Sequence, residues 1–130
     1  MVGLVIVSHS WKIAEGIVDL ALQMAAEHKH IIPAGGLEDK EIGTDATRIM
    51  EAIKEADEGD GVVLLADLGS GVMSAETAIE LLEDEDIKVK LADAPIVEGA
   101  IAAAVEAATG GSLEEVIAAA EEARGVSKLG

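Results

Sequence analysis

The chain has 130 residues, with 9 Lys and Arg against 26 Asp and Glu, a formal charge of −17 with histidines uncharged. That length predicts one domain, residues 1–130, large enough to hold a core without cross-links. No cysteine is present, which excludes disulfides, thiol catalysis and cysteine-held zinc or iron–sulfur centres. Half the residues are apolar, yet Trp11 is the only aromatic ring, so the core must be built from Val, Ile, Leu, Ala and Met. Few cations and almost no rings to stack on bases argue against nucleic acid, and the same charge argues against anionic membranes. A basic protein surface is the electrostatic match. The first apolar run stops at Ser8 and has no basic lead, so neither leader nor membrane span is expected, and the expected location is the cytoplasm.

In chain order, Val2–Val7 is an almost continuous apolar, β-branched-rich run, as in strands covered on both faces. Ile13, Ile17, Leu20 and Met24 follow at i, i+4, i+7 and i+11, predicting a helix from Trp11 to Glu27 with that stripe as its apolar face. A second strand is expected at His30–Pro33. A second helix is marked by Ile49, Met50 and Ile53, with Thr44 as its N-cap. Gly61–Ala66 reads as a third strand, Ala75, Ile79 and Leu82 as a third helix, and Ile87–Leu91 as a fourth strand. Beyond Pro95 comes an Ala-rich helix with Val97, Ala100, Ile101, Ala104, Val105 and Ala108 on one broad face. Its polar strip (Glu98, Ala102, Glu106) is thin, so either ordinary packing on the sheet or a second subunit would cover it. Gly110-Gly111 breaks the chain, and Ser112-Leu113-Glu114-Glu115 has the form of a capping box. Leu113, Val116, Ile117 and Ala120 face inward on the last helix, which Arg124-Gly125 ends. The alternation predicts a three-layer α/β/α, flavodoxin-like fold with a four-stranded parallel sheet in the order 2-1-3-4.

In such sheets reacting groups collect beyond the carboxyl ends of the strands, at the point where the strand order reverses. The four ends carry Ser8-His9-Ser10, Gly35-Gly36, Asp67-Leu68-Gly69-Ser70-Gly71 and Asp93-Ala94-Pro95. With the first and third strands adjacent, His9 and Asp67 share one crevice. A carboxylate that accepts the proton of one imidazole nitrogen leaves a lone pair on the other, free to act as a nucleophile. Backbone N–H groups of the Gly69-Ser70-Gly71 turn, and of the start of the helix after His9, could hold an anion.

Each of these residues also has a plain reading. On it His9 is an inert polar strand end, Asp67 a turn or capping carboxylate, and Ser8 and Ser10 are turn and N-cap residues. A Ser10–His9–Asp67 hydrolase lacks a nucleophile elbow. A receiver-like site phosphorylated on Asp67 would need an acidic pair after the first strand to hold Mg²⁺, and Ser8-His9 stands there. His28 and His30 have no clear third ligand, so no metal site is predicted, and a helix dipole accounts for them. Glu83-Asp84-Glu85-Asp86 reads as a solvated helix end.

Val5-Ile6-Val7-Ser8-His9-Ser10 before a helix, with Asp67-Leu68-Gly69-Ser70-Gly71 after the third strand, resembles the enzyme IIA domains of the mannose family of the sugar phosphotransferase system. Ala34-Gly35-Gly36, Ile42-Gly43-Thr44 and Ala94-Pro95-Ile96-Val97-Glu98-Gly99-Ala100 narrow the resemblance to the phosphotransfer subunits of phosphoenolpyruvate-dependent dihydroxyacetone kinases. That resemblance implies a phosphoryl carrier on His9, charged by the phosphohistidine of HPr and discharged to ADP in the nucleotide-binding subunit of the kinase, with Asp67 as the partner of His9. Ser10, Gly69, Ser70 and Gly71 would then surround the phosphoryl group, no cofactor would be needed, and the assembly would be a homodimer. The extra swapped strand of some mannose-type domains, and the fused HPr-like and enzyme I-like domains of some kinase subunits, have no counterpart in these residues, which implies separate carriers.

Overall fold

A computed structural model describes residues 1–130. The strands are β1 (Gly3–Ser8), β2 (Ile31–Gly35), β3 (Val62–Ala66) and β4 (Val89–Leu91). The helices are α1 (Trp11–Met24), α2 (Ala46–Ala56), α3 (Gly69–Leu81), α4 (Ile96–Ala108) and α5 (Leu113–Glu122), and a 3₁₀ turn follows at Ala123–Gly125. All strand pairs are parallel, in the expected order β2-β1-β3-β4. No helix is long and apolar enough to cross a membrane.

Every residue of β1 and β3 is buried, because helices cover both faces of the sheet. Leu4, Ile6, Val63 and Leu65 point to the side of α1, α4 and α5, and Val5, Val7, Val62 and Leu64 to that of α2 and α3. Each fully buried Val, Leu or Ile contributes about 1.5–3 kcal/mol of transfer free energy, so aliphatic side chains alone can support this core. Small residues bring the helices close. A Cβ on Gly99 of α4 would come within 2.9 Å of Leu65 Cδ2.

Several elements differ from their sequence-based expectations. On α1 only Ile17 of the expected stripe is buried; Ile13, Leu20 and Met24 are 49%, 47% and 62% exposed, and Ala14, Ile17, Val18 and Ala21 form the inner face. The reason is clearance. A Cβ on Gly35 of β2 would stand 2.7 Å from both Ala14 Cβ and Trp11 Cα, so the position against Gly35 takes the small Ala14, while Ile17 and Val18 still face inward. On α4 the inner face is Gly99, Ala100, Ala103, Ala104 and Ala107, while Val97 and Val105 are exposed. The N-cap of α2 is Asp45, which accepts from Thr47 N at 2.9 Å, and not Thr44. The capping box of α5 forms as expected between Ser112 and Glu115. Strand β2 runs two residues past Pro33, which an edge strand tolerates because its outer side needs no donor.

His28 also departs from its expected place at a helix end. It lies beyond α1, almost wholly buried, donating from Nε2 to Val2 O at 2.8 Å and accepting His30 N at Nδ1 at 3.1 Å. Burial pushes its pKa below the ordinary 6.5, and the Val2 carbonyl only partly offsets this. The unfolded chain therefore binds the proton more readily, so the His28 contribution to stability is complete above pH 6.5 and declines as pH falls below it. Thermal melts from about pH 8 to about pH 5 should show Tm dropping on the acid side, with a flatter slope in His28→Gln.

Candidate active site

Strands β1 and β3 pair in register up to Val7 and Ala66, so Ser8-His9 and Asp67 leave the sheet side by side. The expected meeting of His9 and Asp67 is present. Asp67 Oδ1 accepts from His9 Nδ1 at 2.9 Å and Leu68 N at 2.7 Å, and Oδ2 accepts from Ser8 Oγ at 2.8 Å and His9 N at 3.0 Å. Burial alone would raise the Asp67 carboxyl, but the His9 and Leu68 amides, the Ser8 hydroxyl and the His9 ring outweigh it and hold the group below the usual carboxylate range. An ionised carboxylate is acceptor-only, so the Nδ1–H tautomer satisfies the network and leaves the lone pair on Nε2. Nε2 accepts a close hydrogen bond from Ser70 Oγ. The His9 side chain is 23% exposed against 13% for Asp67, so the ring can be reached while its orienting partner is shielded.

The other expected residues take different places. Side chains cap α1, α2 and α5, whereas Leu68 at the N-cap of α3 offers no capping group. The amides of Gly69 and Ser70 consequently have no acceptor in the chain. The Gly71 amide already donates to Leu68 O at 2.8 Å. What Gly71 supplies is space, because a Cβ there would stand 2.8 Å from Asp67 Oδ1 and 3.6 Å from His9 Cε1. Ser10 Oγ accepts Ile13 N at 3.4 Å as the cap of α1 and makes no hydrogen bond to the imidazole.

Sequence reasoning missed three contributors. Ser8, read as a turn residue, is wholly buried and uses its hydroxyl both to hold Asp67 and to accept Ser10 N at 3.1 Å. A lone hydroxyl closing an otherwise apolar strand was the available signal. Gly43 donates to His9 O at 2.9 Å, and Thr44 reaches Ser70 O at 3.4 Å; contacts this remote along the chain leave no local pattern.

The site is shallow. Five hollows of the surface are lined by other residues, without His9, Asp67 or Ser70. Exposed Leu68, Met73 and Ile42 belong to the segments that form it. A small-molecule site would enclose its ligand; a half-buried ring beside segments that carry exposed apolar side chains suits contact with another protein.

The EIIA-man family model, described as PTS system fructose IIA component, matches residues 3–117. The chain belongs to the EIIA-man family. Among curated relatives, it is 48% identical over 128 residues to the phosphoryl donor subunit DhaM of the PEP-dependent dihydroxyacetone kinase of Providencia stuartii, covering 95% of this chain and 27% of that protein. The corresponding Escherichia coli subunit is 48% identical over 121 residues, covering 90% and 26%. Subunit DhaM of kinase 2 of Listeria innocua is 40% identical, covering 90% and 94%. This EIIA-man chain thus spans about a quarter of the length of the first two relatives and nearly all of the third. Among solved structures, EF1359, a protein of unknown function, superposes with a TM-score of 0.80 at 36% identity, covering 94% of this chain and 95% of that one. The EIIA component from Streptococcus agalactiae has a TM-score of 0.71 at 15% identity, covering 99% and 98%, a likeness of fold. In this EIIA-man chain the His–Asp pair lies inside the matched residues.

Proposed function

We propose that this EIIA-man chain acts over residues 1–130 as one phosphohistidine carrier, with His9 receiving a phosphoryl group from phospho-HPr and passing it to ADP in the nucleotide subunit of a dihydroxyacetone kinase. The observation that carries the reading is the His9 ring itself, held at Nδ1 by an ionised carboxylate with Nε2 turned to the uncapped start of α3. The 40–48% identity to donor subunits of such kinases favours this acceptor over a sugar permease.

In the uptake step the Nε2 lone pair attacks phosphorus, the N–P bond of the donor breaks, and its electron pair returns to the donor ring. Asp67 stabilises the positive charge that develops on His9. In the discharge step a terminal phosphate oxygen of ADP attacks, the Nε2–P bond breaks, and its pair returns to Nε2. Phosphoryl transfer through a loose transition state depends mainly on positioning and on stabilising charge. The free amides of Gly69 and Ser70 take equatorial oxygens at a helix start, and the Ser10 hydroxyl closes the near side. Ser70 Oγ leaves Nε2 as the group arrives and donates to it instead. A −17 chain meets a basic donor surface with electrostatic attraction, so uptake should weaken with salt.

The decisive assay is incubation with phosphoenolpyruvate, enzyme I and HPr, followed by either the kinase subunits with ADP and dihydroxyacetone or a mannose-type permease with its sugar. Label on the chain that drains only in the first case supports the reading. Drainage only in the second would move the acceptor to sugar.

The proposed assembly is a homodimer. Glu15, Val18 and Asp19 share a hollow with Pro33 of β2. The opposite flank of α1, carrying exposed Ile13, Leu20 and Met24, therefore turns toward α4, the other neighbour of α1. With exposed Val97 and Val105 of α4 it offers apolar side chains on two neighbouring helices, the kind of contact that two chains of −17 need in order to associate. Leu20→Glu together with Val105→Glu should convert a dimer to a monomer in sedimentation analysis; an unchanged mass would exclude this face.

A further inference from the structure

We propose that Thr44 is a positioning residue for His9, forming with Gly43 a bracket that sets the distance between the His9 ring and the first turn of α3. Its kinetic consequence rests on the carrier reading. The Nε2–Ser70 contact joins two elements far apart in sequence, the end of β1 and the start of α3. Within α3 the start is closed only by the Gly71 and Val72 amides on Leu68 O; its N-cap has no side-chain hydrogen bond and Ser70 lies between two glycines, the most permissive backbone. The restraint comes from the segment between β2 and α2. Gly43 N donates to His9 O at 2.9 Å, and the adjacent Thr44 donates from Oγ1 to Ser70 O at 3.4 Å. Two successive residues thus hold the carbonyls of the two residues that meet at Nε2.

Proton counting gives the bracket a direction. Thr44 Oγ1 also lies 2.7 Å from Ser74 Oγ. A threonine hydroxyl has one proton, so when it is given to Ser70 O the Ser74 hydroxyl donates to Thr44. The hydroxyl chain runs Ser74 to Thr44 to the Ser70 carbonyl and spans the first turn of α3. Gly43 has φ +148, a region that favours glycine, so the bracket can bend between its two contacts. Thr44 hydrogen-bonds neither the imidazole nor Asp67 and acts through Ser70. One long hydrogen bond is a modest restraint, and the expected loss is accordingly modest.

The test uses the full chain with Thr44→Val, which keeps the shape and removes the hydroxyl, and Thr44→Ser, which keeps the hydroxyl. In the unphosphorylated protein, the ¹⁵N resonance of His9 Nε2 should move toward that of an unbonded nitrogen in the valine variant and return in the serine variant. Single-turnover uptake from phospho-HPr should fall roughly tenfold in Thr44→Val, with the donor concentration for half-saturation unchanged, and recover in Thr44→Ser. A valine variant that melts like wild type and keeps both the wild-type resonance and rate overturns the bracket, as does a serine variant as impaired as the valine one. If wild-type protein takes no label on His9, the carrier reading fails, and the Nε2 resonance alone then decides the bracket.

Discussion

His9→Ala should take up no phosphoryl group from phospho-HPr while melting within a few degrees of wild type. The loss should be complete because no other histidine can substitute. Both ring nitrogens of His28 are engaged in the interior. His30 contacts Glu58 through Nε2 at 3.2 Å and Glu55 O through Nδ1 at 3.4 Å. It also precedes β2, whose far end faces the site, about 16 Å away at roughly 3.3 Å per residue. The fold should survive because Asp67 keeps three donors, Ser8 Oγ, His9 N and Leu68 N, none of which needs the imidazole. Radiolabelled phosphoenolpyruvate with enzyme I and HPr, read beside a thermal melt, checks both halves. Residual label on the alanine variant would remove His9 from the mechanism.

Asp67→Asn should slow uptake by up to about 10⁴-fold, the loss that a wrong-tautomer substitution causes in another His–Asp pair. Both Asp67 oxygens face donors only: the His9 ring and Leu68 N at Oδ1, Ser8 Oγ and His9 N at Oδ2. An amide must turn its NH₂ toward one of these pairs. Facing Nδ1, it would donate to the ring and shift the proton to Nε2, occupying the lone pair that has to attack phosphorus. Facing Ser8 and the His9 amide, it would leave shielded donors without an acceptor, at about 1–3 kcal/mol. The variant should therefore lose both rate and stability, in proportions that rapid-quench kinetics and denaturant unfolding can separate. Wild-type kinetics in this variant would reduce Asp67 to a turn residue. The depressed Asp67 pKa carries its own sign: the stability it lends is complete above the ordinary value of 3.8 and is lost as pH falls below it through the folded value. Acid unfolding of Asp67→Asn should accordingly be less steep.

The path from residues to site was short where chemistry and topology coincide. Continuous apolar runs at β1 and β3 marked the two central strands, the expected flavodoxin-like order placed them side by side, and in that order the residues just beyond them meet. The helix faces were harder to read. Ile13, Leu20 and Met24 have helical spacing with Ile17, but spacing identifies a stripe without saying how near the neighbouring strand lies. Gly35 brings β2 so close that the small Ala14 faces it, and the inner face turns to Ala14, Ile17, Val18 and Ala21. Thr44 looked like a cap because capping is the local use of a threonine before a helix. Asp45 takes that role, and the Thr44 hydroxyl is spent on α3.

Hydrophobic periodicity and strand-end polarity were thus enough to predict a parallel sheet with polar groups beyond its strand ends, and the flavodoxin-like order expected for that alternation, which the structure has, brought His9 to Asp67. Tertiary structure alone decided that Ser8 completes the carboxylate's set of donors, that Gly71 leaves room for it, that Gly43 and Thr44 reach the site from a distant segment, and that one apolar flank of α1 faces outward. Each of these depends on distances between elements remote along the chain, which residue identity does not encode until the backbones have packed.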